Sequence, residues 1–156
     1  MTHKNARWKK LIKPLLLFVI PIASWGLAHL VMRPRSTEPP VMISHRGIAG
    51  LAPENTLASL RQAIERGAKY IEADVQRTAD GVLVLLHDRT VNRTTNGRGE
   101  IGKLTWDQVQ KLDAGIKFST EFAEEPIPSL DSALELLRSS SAKLVLEAKN
   151  PHLYPG

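Results

Sequence analysis

The chain has 156 residues, no cysteine and a formal net charge of +5. Its length suggests one domain, and the lack of cysteine excludes disulfides and thiolate metal sites. The positive charge does not describe a nucleic-acid surface: residues 1–35 hold seven of the 21 Lys and Arg and no acid, whereas the remainder sets fourteen basic residues against all 16 acids, without a basic stripe that could follow a phosphate backbone.

Lys4, Arg7, Lys9, Lys10 and Lys13 precede the run PLLLFVIPIASWGLAHLVM, residues 14–32, which contains no Asp, Glu, Lys or Arg. Crossing a bilayer core takes about 20 mostly apolar residues. Residues 1–13 therefore read as a cytoplasmic basic segment and 14–32 as a transmembrane helix. Only Arg33 and Arg35 follow closely, so the positive-inside rule puts the N-terminus in the cytoplasm and the rest of the chain outside. The alternative is a cleaved signal peptide and a secreted domain, although the run is long for that and no A-x-A site follows it. Residues 33–40 (RPRSTEPP) are a stiff, proline-rich linker.

Residues 41–156 read as one soluble fold, long enough for a real hydrophobic core. Val41-Met42-Ile43 is a short buried strand. Asn55 or Thr56 caps a helix that reaches about Arg66, with Leu57, Leu60, Ala63 and Ile64 on one face, and Gly67 stops it. Tyr70 to Val75 is a second strand. Ala79-Asp80-Gly81 is a turn, and Val82 to Leu86 a third apolar run. A loop through Thr94–Gly99 leads to a short helix from Thr105. Ser129 starts another helix, with Leu130, Ala133, Leu134 and Leu137 at helical spacing, and Lys143 to Glu147 is a further strand. Strands alternating with helices favour a parallel α/β arrangement.

Ionisable residues gather at the C-terminal ends of these strands, where α/β barrels place their active sites. They are His45 and Arg46, Glu72 and Asp74, His87 and Asp88, and Glu147 with Lys149. Glu72 and Asp74 are two apart, so a strand points both to one face. Two neighbouring carboxylates are costly to bury, and a hard divalent cation offsets that cost. Glu147 is the natural third ligand, and an all-oxygen set favours Mg²⁺ or Ca²⁺ over Zn²⁺. A polar strand face open to water is the alternative for the pair. His45 and His87 suit an acid–base pair near neutral pH. Arg46 and Lys149 bring positive charge that could grip a phosphate. Glu54 is placed behind Arg46 or His45 as an orienting partner. A cation, an anion clamp and two proton carriers suit phosphoryl chemistry on a diester.

The stretch from His45 to Gly99 carries HRG, then PENT, then E-x-D (Glu72, Asp74), a DG turn, HD (His87, Asp88) and RTTNG in order. With Ile127-Pro128-Ser129-Leu130 and Glu147-Ala148-Lys149, it resembles the glycerophosphodiester phosphodiesterase family over residues 41–156. The resemblance implies a TIM-type (β/α)8 barrel, a divalent metal (Ca²⁺ or Mg²⁺) and hydrolysis of glycerophosphodiesters to glycerol 3-phosphate and an alcohol. It implies that His45 and His87 are the acid–base residues, that Glu72, Asp74 and Glu147 hold the metal, and that Arg46 and Lys149 contact the phosphate. The neighbouring glycerol hydroxyl is expected to attack first, giving a cyclic phosphate that water opens. Such a barrel takes about 250 residues, so residues 41–156 are expected to supply its N-terminal part, with open sheet edges. A lysophospholipase D-like activity at the membrane and an inactive membrane-anchored module are the other two readings. Small-molecule or lipid-derived phosphodiesters and the membrane are the expected partners, and nucleic acid is not.

Overall fold

A computed structural model of the chain describes residues 40–150. The segments read as cytoplasmic, membrane-spanning and almost all of the linker (1–39) lie outside the described residues. Among the described residues, no helix is long and apolar enough to cross a membrane.

The ordered elements are β1 (Ile43–Ser44), α1 (Leu57–Glu65), β2 (Tyr70–Arg77), β3 (Leu83–Leu85), α2 (Trp106–Val109), α3 (Leu130–Arg138) and β4 (Lys143–Ala148). Short 3₁₀ turns occupy Ile101–Lys103 and Thr120–Phe122. The helices start where side chains can satisfy free amides. The Ser59 amide donates to Thr56 Oγ1, and the Ser132 amide donates to Ser129 Oγ. Thr105 and Gln108 form a capping box on α2. Of the two candidate caps for α1, Thr56 therefore does the capping, which leaves Asn55 for another task. Helix α1 ends at Gly67, whose φ of +76° suits a residue without Cβ.

Strand β2 organises the sheet, since the other three strands all pair with it. β4 runs parallel to it from Tyr70↔Lys143 to Val75↔Ala148, and β1 is parallel at Ile43↔Tyr70 and Ser44↔Ile71. β3 departs from the expected parallel order. It is antiparallel, with Val75↔Leu85 and Arg77↔Leu83, because the link from Thr78 to Val82 is a tight turn closed by the Thr78 amide on Val82 O at 2.9 Å. Parallel strands need a crossover of a dozen or more residues, and this turn is far shorter. The hairpin matters for the site. β2 overshoots to Arg77 and β3 returns, so that the Leu86 amide donates to Asp74 O at 3.0 Å and His87 comes back to the level of the E-x-D carboxylates.

Alternation along β2 separates core from chemistry. Ile71, Ala73 and Val75 join Leu60 and Ala63 of α1, Leu85, and Ala133 and Leu137 of α3 in one apolar cluster. Full burial of a side chain such as Leu60 or Ile71 contributes about 1.5–3 kcal/mol. Glu72, Asp74 and Gln76 take the other face. Val84 and Leu86 of the hairpin turn to a second cluster with Val91, Ile101, Val109, Ala114 and Ile127, which anchors the long loop. Helix α2 is shorter than its sequence suggests. The chain leaves it to let the Asp113 amide donate to Asn96 Oδ1 while the Asn96 amide donates to Asp113 O, both at 3.0 Å.

Candidate active site

The loop after β1 delivers three groups to one place. Arg46 has φ +51° and Gly47 φ +78°, a double left-handed turn that folds the chain back over β2. The Arg46 amide donates to Glu72 Oε2 at 2.8 Å, and the Gly47 amide donates to Glu72 O at 3.0 Å. A Cβ on Gly47 would lie 2.2 Å from Ser59 Oγ, so the third residue of HRG must be glycine. The same Ser59 hydroxyl donates to Arg46 O and accepts from the Ile48 amide, which fixes the turn on α1. His45, 67% exposed, has its Nε2 3.8 Å from Glu72 Oε2.

Glu72, Asp74 and Glu147 come together as the sequence suggests. One carboxylate oxygen from each lies within 4.8 Å of the others. The strand register causes this, because β2 and β4 pair Asp74 directly with Glu147 and Glu72 precedes Asp74 by one pleat. Asp74 is 1% exposed, and its Oδ1, like Glu72 Oε1, is buried without a hydrogen-bond partner. Two buried carboxylate oxygens that accept no hydrogen bond, one of them 3.4 Å from Lys149 Nζ, lie in a converging acidic set that a hard cation would satisfy. Ca²⁺–oxygen distances of about 2.3–2.6 Å place opposed ligands up to roughly 5 Å apart, so the spread fits. The polar-face alternative does not account for a buried Asp74.

The other Asp74 oxygen is held by Asn55. Asn55 Nδ2 donates to Asp74 Oδ2 at 2.9 Å, and the Asp74 amide donates to Asn55 Oδ1 at 3.0 Å. Asn55 sits at φ +58°, a conformation asparagine tolerates better than most residues. Arg46 and Lys149 are tied to the same acids. Arg46 Nε is 3.2 Å from Asp74 Oδ2 and its Nη1 donates to Glu54 Oε1 at 3.0 Å. Lys149 Nζ lies 2.8 Å from Glu147 Oε1 and 3.4 Å from Asp74 Oδ1. Its hydrogen bond to Glu147, and then the charge of Asp74, hold the ammonium above the ordinary lysine range. Glu54 pairs with Arg46 rather than with His45.

After β3, His87 Nδ1 is 2.7 Å from Asp88 Oδ1. Arg93 binds Asp88 through Nε to Oδ2 at 2.7 Å and Nη2 to Oδ1 at 3.1 Å. It binds Glu54 through Nη1 to Oε2 at 2.8 Å and Nη2 to Oε1 at 2.7 Å. Hydrogen bonding to Arg93 is the leading cause that brings the Asp88 carboxyl down to about 2 and places the Glu54 carboxyl below its usual range. Buried Gln76 gathers the backbone of this segment: its Nε2 donates to the carbonyls of Leu86, His87 and Asp88. Sequence reasoning missed Asn55, Gln76 and Arg93 as site residues. Asn55 and Arg93 lie inside the PENT and RTT stretches, and Gln76 shares its strand face with Glu72 and Asp74.

These features define a class: a TIM-barrel-like α/β domain with an acidic group at its strand ends that could hold a cation, and a histidine after β1 and another after β3. Residues 45–154 match the model of the glycerophosphoryl diester phosphodiesterase family, and the chain belongs to that family. A glycerophosphodiester phosphodiesterase of Caldanaerobacter subterraneus is 48% identical over 117 residues, 74% of this chain and 48% of that protein. Mouse glycerophosphodiester phosphodiesterase 1 is 50% identical over 99 residues, 62% of this chain and 30% of that protein. Among solved structures, an Oleispira antarctica phosphodiesterase in complex with the product sn-glycerol-3-phosphate superposes with TM-score 0.69. It is 44% identical, covering 70% of this chain and 44% of that one. A glycerophosphodiester phosphodiesterase from Agrobacterium tumefaciens gives TM-score 0.66 and 45% identity, over 68% of this chain and 46% of that one. The chain thus spans about half the length, or less, of the relatives it matches.

Proposed function

We propose that the chain serves metal-dependent hydrolysis of glycerophosphodiesters to glycerol 3-phosphate and an alcohol. The observation that carries this reading is the convergence of Glu72, Asp74 and Glu147 within 4.8 Å, with two buried oxygens that accept no hydrogen bond and His45 Nε2 3.8 Å from Glu72 Oε2. The product complex of the similar Oleispira phosphodiesterase supports the substrate class.

In this reading Glu72, Asp74 and Glu147 would hold Ca²⁺ or Mg²⁺, which supplies Lewis-acid stabilisation of charge on the phosphoryl oxygens. Arg46 and Lys149 bring positive charge to the same anion. One imidazole takes the proton of the glycerol hydroxyl beside the phosphate as that oxygen attacks phosphorus. The other gives a proton to the departing alcohol. The roles then exchange: water loses a proton to one imidazole as it attacks the cyclic phosphate, and the ring oxygen leaves with a proton from the other. Glu54 orients Arg46. The apolar run 14–32 anchors the domain outside the cytoplasmic membrane, or is removed as a signal peptide, and the anchor favours lysophospholipid diesters as a second substrate class.

The test is release of glycerol 3-phosphate from glycerophosphocholine by the full chain. Release should require a divalent ion and should fall by about 10²-fold or more in His45→Ala, the scale of general acid–base catalysis. No release with either metal, or release that survives both EDTA and His45→Ala, overturns the proposal. Comparing acylated with deacylated substrates decides between the two substrate classes.

A further inference from the structure

We infer that Arg93 is a positioning residue that fixes the tautomer of His87 through Asp88 and locks that histidine to the loop carrying Arg46. The guanidinium has five N–H donors in a rigid fork, and here four of them are spent on two carboxylates. Both oxygens of Asp88 and both oxygens of Glu54 accept from it. Such doubly bidentate use of one arginine leaves each carboxylate little freedom to rotate.

The consequence for His87 follows from donor counting. An Asp88 carboxylate bound twice by Arg93 is ionised and can only accept. Its Oδ1 lies 2.7 Å from His87 Nδ1, so the hydrogen in that contact belongs to the imidazole. The neutral ring then carries its proton on Nδ1 and its lone pair on Nε2. Nε2 is thereby the atom able to take a proton, while Gln76 holds the backbone carbonyls of the same segment. At the far end of the fork, Glu54 Oε1 also accepts from Arg46 Nη1 at 3.0 Å. One line of charge-assisted bonds thus runs from Arg46 through Glu54, Arg93 and Asp88 to His87. The catalytic meaning of this line rests on the phosphodiesterase reading, but the tautomer itself does not.

The experiment reads the imidazole without turnover. The full chain, ¹⁵N-labelled at histidine and solubilised in detergent, is examined by two-bond ¹H–¹⁵N correlation with the rings neutral. The His87 pattern is assigned by its loss in His87→Gln. The wild type should favour protonated Nδ1 by about tenfold or more, the effect of one charged hydrogen bond. Arg93→Met, which leaves Asp88 ionised but free to rotate off the ring, should lower that ratio by about threefold or more, and Asp88→Asn should favour protonated Nε2. A wild-type ring protonated mainly on Nε2, or an Arg93→Met ratio equal to that of the wild type, overturns the inference. If Arg93→Met loses the fold by circular dichroism, Arg93→Lys takes its place. Lysine keeps the charge without the fork, so the ratio should still drop, and an unchanged ratio again overturns the inference. A chain that releases no glycerol 3-phosphate yet shows protonated Nδ1 refutes the phosphodiesterase reading and leaves this one standing.

Discussion

Asn55 and Asp74 are bound to each other twice, side chain to side chain and side chain to backbone, at 2.9 and 3.0 Å. The pair joins the loop after β1 to the middle of β2, and it ties one Asp74 oxygen to an amide donor. Replacing Asn55 therefore tests structure and site together. Asn55→Ala leaves the buried Asp74 amide unpaired, at about 1–3 kcal/mol, and puts a Cβ-bearing residue with no local hydrogen bond at φ +58°, a further cost of about 1 kcal/mol. Asn55→Gly loses the bonds but not the conformation, so it should unfold at a higher urea concentration than Asn55→Ala. Equal midpoints for the two variants would show that the left-handed backbone contributes nothing.

The carboxylate cluster predicts a metal-dependent melting temperature. A cation bound at 100 times its Kd adds about 2.7 kcal/mol to the stability of the folded state. For a domain of this size, 1 kcal/mol moves Tm by roughly 4–8 °C. Ca²⁺ or Mg²⁺ should raise Tm by about 11–22 °C, and EDTA should reverse the rise. Glu72→Gln keeps an oxygen for the Arg46 amide while removing a charge. It should melt no lower than the wild type in EDTA and lose most of the metal-induced shift. A full shift in Glu72→Gln would place the ion elsewhere.

The Arg93 clip gives acid stability a defined window. The Asp88 carboxyl is brought to about 2 and the Glu54 carboxyl below its usual range, in both cases chiefly by hydrogen bonds from Arg93. A folded-state value below the unfolded one means that the stabilisation is fully present above pH 4–5, where the unfolded carboxyls are ionised. It is lost as the pH falls through the folded values, for Asp88 at about 2. The stability difference between wild type and Arg93→Met, from urea midpoints, should be constant near neutrality and shrink between about pH 4 and pH 2. A difference that stays flat to pH 2 would assign the stabilisation to packing by the arginine stem.

Much of this site was legible in the sequence because it depends on strand periodicity. Spacing of two puts Glu72 and Asp74 on one face without tertiary information, and the E-x-K strand end marks Glu147 and Lys149 as belonging to the same rim, although the β2–β4 register is what sets Glu147 against Asp74. What could not be read locally was pairing. β3 looked like one more parallel strand, and only the short Thr78–Val82 turn makes it a returning hairpin that sets Leu86, the residue before His87, on the Asp74 carbonyl. Asn55 was legible as a helix cap, but Thr56 takes that task, and the partner of Asn55 lies nineteen residues away. Arg93 is farther still from Glu54, at thirty-nine residues. A single arginine in a polar loop has no periodicity to announce that two carboxylates will meet around it.

Gln76 offers the sharpest separation of positioning from packing. It is 2% exposed, and its Nε2 faces three carbonyls, those of Leu86, His87 and Asp88. Its Oε1 accepts from Asn150 Nδ2 at 3.3 Å. Gln76→Leu fills about the same volume and removes the donor, which should cost about 1–3 kcal/mol for the unpaired buried carbonyls. Gln76→Glu keeps the shape and presents an acceptor to those carbonyls. A buried carboxyl in that position must either take up a proton, and so recover one donor, or repel the segment. Gln76→Glu should therefore be less stable than Gln76→Leu above about pH 7 and recover below about pH 5, as read from urea midpoints. If both variants match the wild type, the carbonyls of residues 86–88 are held by something other than this amide, and the alignment of His87 does not depend on β2.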